Sequence, residues 1–153
     1  MADLVDASIS FKPNGFSNDY HINDKPLREI IFNDTENASQ NQYGLKVGVD
    51  YLTSIESGPK TTTKRLIGDE EPDLIHGLTA LYLCGHCGGY DGTLIGAHIN
   101  IYNDHIVWSN IGYSSDIIEL YPKHKPFEHL PAFSFKRDNY EKFIEDARTF
   151  EIK

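Results

Sequence analysis

Short apolar runs alternate with polar punctuation along most of this chain, the rhythm of strands and turns rather than of long helices. Residues 4–11 predict a first strand, stopped by Pro13-Asn14-Gly15. Residues 20–22 and 27–32 flank Asn23-Asp24-Lys25-Pro26 and predict a hairpin. Residues 33–42 are polar and aperiodic, as a surface loop is. Leu45, Val47, Val49 and Tyr51 then fall on one face of a strand. After the turn Ser57-Gly58-Pro59-Lys60, residues 61–67 are rich in β-branched side chains and predict a returning strand. Residues 78–84 have the length of a buried strand. Residues 93–102 and 105–111 form the plainest hairpin, with Asn103-Asp104 between them. Both residue types tolerate the positive φ that two-residue turns require. Trp108 is expected in the core or on a sheet face.

The end of the chain breaks the rhythm. Tyr140, Phe143, Ile144, Ala147 and Phe150 recur at helical spacing and make one apolar stripe. Asp138 with Glu141 three residues later resembles a capping box. The predicted fold class is α+β: a mostly antiparallel β-sheet of hairpins with one C-terminal helix packed on it. At 153 residues the chain is expected to be a single domain. A chain of this length buries roughly 70% of its unfolded surface and needs no staples.

Charge changes the picture. The net charge is −9. That argues against general nucleic-acid binding, which needs a basic stripe to neutralise phosphates. It suits solubility or a basic protein partner. The acidic loop Asp69-Glu70-Glu71-Pro72-Asp73 concentrates four carboxylates and is the candidate partner-binding patch. It lacks the spaced oxygens and interior glycine of a calcium loop. The chain shows no basic, apolar leader and no apolar run of membrane-spanning length, so no membrane association and a cytoplasmic location are expected. Asn33 and Asn37 head glycosylation-type triplets, which without secretion are chance matches.

The chemistry-bearing segment is Cys84-Gly85-His86-Cys87-Gly88-Gly89. Its first four residues are identical to the redox motif of protein disulfide isomerases, where a helix N-terminus stabilises the attacking thiolate. Here Leu83 precedes the motif and Gly88, Gly89 and Gly92 follow, and glycines disfavour the helix that activation needs. A second reading is half of a zinc site at Cys84 and Cys87. The chain has only two cysteines, so histidine or carboxylate would have to complete the four ligands. His98 is the tempting third ligand, yet antiparallel pairing of the flanking strands sets it about 13 Å from the motif. In the third reading Cys84 ends a buried strand as a small apolar residue. His124 and His129 sit five apart in a Pro-broken segment and are expected to be solvated.

Residues 81–92, with Ile99-Asn100-Ile101-Tyr102-Asn103-Asp104-His105-Ile106-Val107-Trp108, resemble a group of small, functionally uncharacterised bacterial proteins. That group pairs a Cys/Gly-rich loop between two strands with a Val-Trp on the next strand, then an aromatic-rich segment and a helix. Pro131-Ala132-Phe133-Ser134-Phe135 and the terminal helix match that ending. The resemblance implies the fold and a bacterial origin, and no activity.

No phosphate loop, dinucleotide fingerprint, nucleophile elbow or zinc-protease helix occurs in the sequence. No complete catalytic constellation can be assembled. The expected function is therefore non-enzymatic protein binding, for example by a bacterial immunity protein that neutralises a basic toxin such as a nuclease. The alternative is thiol redox chemistry or zinc binding at Cys84 and Cys87.

Overall fold

The computed structural model describes residues 4–14, 17–31, 52–53, 62–72, 77–84, 94–114 and 125–151. The first apolar run is two strands, β1 (Leu4–Ala7) and β2 (Ile9–Asn14), rather than the single strand its sequence suggests. The break at Ser8 is held by Asn23, whose side chain accepts from the Ser8 amide at 2.9 Å. Asn23 also donates its own amide to the Ser8 carbonyl at 3.0 Å. Ser8 thus satisfies its backbone outside any ladder, and the chain steps from one sheet to another. β2, β3 (Ser17–Ile22) and β4 (Lys25–Pro26) form the small antiparallel sheet. Asn23 and Asp24 both take positive φ at its second turn, as a two-residue hairpin demands.

The large sheet has seven strands. β5 (Leu52–Thr53), β6 (Thr79–Cys84), β7 (Leu94–Ile101), β8 (His105–Ser114), β9 (Lys125–Pro126) and β10 (Ala132–Lys136) join β1 there. Its order is β1-β10-β8-β7-β6-β5, with β9 beside the far end of β8. Every pairing is antiparallel except β1 with β10. The protein is thus an α+β fold of mostly antiparallel sheets with a C-terminal helix packed on them. No helix among the described residues is long and apolar enough to cross a membrane.

Two expected strands are helices. Residues 27–31 form α1 (Leu27–Ile31), because Leu27 and Ile31, four apart, both enter the core. Within the run 61–67 lies α2 (Thr62–Leu66), with Thr63 and Leu66 buried at helical spacing. Threonine-rich sequence favours strands only weakly, and burial of one helical face outweighs it. Of the expected strand at 45–51 nothing can be added, since it lies outside the described residues. The β7–β8 hairpin is where the sequence puts it, but Asn103 and Asp104 close it without positive φ.

Helix α3 (Arg137–Glu151) carries the expected stripe: Tyr140, Phe143, Ile144 and Ala147 are all buried. Its capping box does not form. Asp138 lies inside the first turn and accepts from Asn139 N–H, while Glu141 pairs with Arg137 at 3.2 Å. The helix is started from the sheet instead: Arg137 N–H donates to the Asp104 carbonyl of the β7–β8 tip. Asn139 adds a clamp, accepting from the Ile9 amide at 2.8 Å and donating to its carbonyl at 3.1 Å. Together α3 and the small sheet cover one face of the large sheet. The core between them is aromatic, with Trp108 at its centre, 5.5 Å from the rings of both Tyr20 and Phe135.

The end of α2 follows a Schellman motif. Gly68 N–H donates to Arg65 C=O and Asp69 N–H to Lys64 C=O, with Gly68 at φ +84°. A Cβ at Gly68 would also lie 3.2 Å from the Ile101 side chain. Gly68→Ala is expected to lower stability by about 1 kcal/mol or more, read as a fall in thermal midpoint. An unchanged midpoint would mean that this turn is not held as described.

Candidate functional site

The acidic run begins where the Schellman motif ends. Asp69 and Glu70 both donate their amides to the Lys64 carbonyl, at 2.8 and 3.3 Å, so the backbone of the run is tied to α2. Asp69, Glu70 and Glu71 are exposed, and among the described residues none of them forms an ion pair. Asp73, the fourth expected member, lies outside the described residues. The three carboxylates border a cleft of about 710 Å³ whose floor includes Thr79 of β6 and Ile99 of β7. Lys64 and Arg65 stand in the last turn of α2, just before the run, and Arg65 lines the same cleft. The result is a backbone-fixed shelf of three exposed carboxylates beside a floor that includes Ile99.

Strand β6 carries Cys84 at its end, where it pairs with Leu52 of β5. Cys87 and the side chain of Cys84 lie outside the described residues. The register does settle the position of His98. Thr79 pairs with Ala97, so His98 stands at the start of β6 and Cys84 at its finish. Five residues of strand separate Thr79 from Cys84, about 16 Å, so His98 does not complete a site with Cys84. His98 instead approaches the Asn110 side chain at 2.9 Å. His129 is not simply solvated: its Nε2 donates to the Ile31 carbonyl at the end of α1, at 3.0 Å. His124 lies outside the described residues. No group of three or more His, Cys, Asp or Glu side chains able to hold a metal occurs among those described.

A buried polar cluster has no counterpart in the sequence reading. Asp19 of β3 is 0% exposed. One of its carboxylate oxygens accepts from Tyr20 N–H at 2.7 Å and from the Tyr82 hydroxyl. The other accepts from Arg28 N–H at 3.3 Å and lies 3.8 Å from the Arg28 guanidinium, which in turn lies over the Tyr82 ring. Burial raises the Asp19 pKa, and the Tyr82 hydrogen bond and the Arg28 charge oppose the rise without cancelling it. Burial, then the Asp19 charge, push Tyr82 well up and keep it protonated. This cluster ties β3, α1 and β6 together. Asp19 and Tyr82 are both buried there, so the cluster holds its three elements through groups withdrawn from water. In the sequence, only the neighbouring Asp19 and His21 in a strand with Tyr20 hinted at it, and alternation would have sent them to solvent.

No family model matches this chain, and neither does any curated protein or solved structure. Its function has to be argued from its own geometry.

Proposed function

We propose that this protein is a non-catalytic protein-binding protein, and that its acidic shelf takes a basic surface of its partner. A bacterial immunity protein covering a basic toxin such as a nuclease is the concrete form of this reading. The single observation that carries it is the shelf itself: Asp69, Glu70 and Glu71 exposed in succession, on a backbone fixed by the Schellman turn. The apolar floor at Ile99 offers surface to bury beside the charges. A net charge of −9 would speed encounter with such a partner.

An amide-resolved NMR titration with a lysine-rich peptide tests the reading. Shifts are expected to centre on residues 65–72, with Thr79 and Ile99. They should fade as salt rises, because the screening length is about 8 Å at physiological ionic strength. The triple variant Asp69→Asn, Glu70→Gln, Glu71→Gln should bind the peptide about tenfold more weakly or worse, three neutralised contacts each contributing up to about 1 kcal/mol. Shifts spread evenly over all acidic surface, or untouched by the triple variant, would sink the proposal.

A further inference from the structure

The face of the large sheet opposite the aromatic core carries a second constellation. β1, β10 and β8 are neighbours in the sheet though far apart in sequence. Their register sets Asp6 opposite Ser134 and Lys136 opposite His105. Phe133, Phe135, Ile106 and Trp108 alternate with these residues and point into the core, so Ser134, Lys136 and His105 share the open face. All four line one cleft of about 580 Å³ at the end of the sheet, whose wall is completed by Asp104 and by Asn139 at the start of α3.

Each group has a distinct state. His105 Nδ1 lies 2.6 Å from the Asp104 carboxylate, and its ring stacks on Tyr102 with centroids 4.6 Å apart. The imidazole is thereby fixed in orientation, and its Nε2 is left for another partner. The same contact holds the Asp104 carboxyl below its usual range. Asp6, Ser134 and Lys136 make no side-chain hydrogen bond or ion pair among the described residues. With strands ~4.8 Å apart and ~3.3 Å per residue, the Cα atoms of Asp6 and Lys136 stand about 8 Å apart. The carboxylate and the ammonium thus flank a hydroxyl across a gap that they do not close on each other.

We propose that this cleft binds a small zwitterion of the α-amino-acid class. Lys136 receives the ligand carboxylate, beside the fixed ring of His105. Asp6 receives the ligand ammonium, and the Ser134 hydroxyl between them bonds to either. A ligand carrying one charge satisfies only half of the site. This site is separate from the acidic shelf and does not depend on it.

The test is an NMR titration of the full chain with L-alanine, and in parallel with propionate and with ethylamine, each of which keeps one of its charges. L-Alanine should shift the amides of Asp6, His105, Ser134 and Lys136 in the millimolar range. Propionate and ethylamine should each bind about tenfold more weakly or worse, the loss of one hydrogen-bonded charge. Asp6→Asn and Lys136→Met should weaken L-alanine to the same degree, with thermal midpoint and peptide binding at the shelf unchanged. No shift with tens of millimolar L-alanine overturns the proposal. So does propionate binding as tightly as L-alanine, which would make the cleft a simple anion site. Normal L-alanine binding by both variants also overturns it.

Discussion

Trp108→Ala is expected to lower the unfolding free energy by about 4 kcal/mol. The indole is 0% exposed. It meets Tyr20, Phe135, Tyr140 and Phe143 at centroid distances of 5.5 to 6.2 Å, mostly edge to face. These rings come from the small sheet, the large sheet and α3, so the cavity would open where three elements meet. The loss is polar as well. Trp108 Nε1–H donates to the Tyr140 hydroxyl at 3.1 Å, and that hydroxyl donates to the Leu66 carbonyl. Burial pushes the Tyr140 pKa far up, so it remains a donor at every ordinary pH. Trp108→Phe keeps much of the apolar area and loses the N–H with part of the ring, so it should lose less than half as much. Urea unfolding followed by circular dichroism distinguishes the two. Equal losses would place the weight on the hydrogen bond, and a loss under about 1 kcal/mol for alanine would deny Trp108 its central place.

Asp19→Ala is expected to lower stability by about 3 kcal/mol, because it strips an acceptor from a tyrosine hydroxyl and two amides and leaves the Arg28 charge without its counter-ion at Asp19. Asp19→Asn should lose less, since its amide oxygen can still accept from Tyr20 and Tyr82. The pH dependence separates charge from shape. Asp19 titrates above its ordinary value in the folded chain, because burial disfavours the carboxylate. A raised acid binds its proton more tightly when folded. The stability this supplies is complete below the unfolded value of about 3.9 and is lost as pH rises through the folded value. Wild type should therefore lead Asp19→Asn most in acid, and the lead should shrink towards neutral pH. A lead that grows with pH would mean that Arg28 and the hydrogen bonds outweigh desolvation.

Where the sequence reading worked, a local pattern was enough. The stripe from Tyr140 to Ala147 has one period and one apolar face, and α3 lies with that face buried. The β7–β8 hairpin has long apolar arms around a two-residue turn, and it is found in place. Trp108 had few places to go other than the core. Where the reading missed, the pattern was short or ambiguous. Leu27 and Ile31 are spaced as well for a helical turn as for part of a buried strand, and only the core they enter decides. Three threonines near residue 62 speak for a strand, yet Thr63 and Leu66 are buried on one helical side. Asp138 and Glu141 had the right spacing for a cap, but Asp138 stands inside the first turn rather than at the cap position.

The site residues divide in the same way. The acidic run could be seen as a run, but its stiffness comes from Gly68 and from the carbonyls of α2. Asp6, His105 and the β10 pair Ser134 and Lys136 lie far apart in sequence. They meet because β1 runs parallel to β10 and β10 antiparallel to β8. Asp19, Arg28 and Tyr82 are likewise brought together from β3, α1 and β6.

The sequence by itself determined the class of fold, the terminal helix, the main hairpin, the excess of negative charge and the place of Trp108. Composition and short-range periodicity carry that information, and each of those features depends on neighbours within one turn or one strand pair. The tertiary structure alone decided which short segments became helices, which strands lie side by side, and which polar groups leave water. Those outcomes depend on burial against partners tens of residues away, and local propensity is too weak to oppose the free energy of that burial.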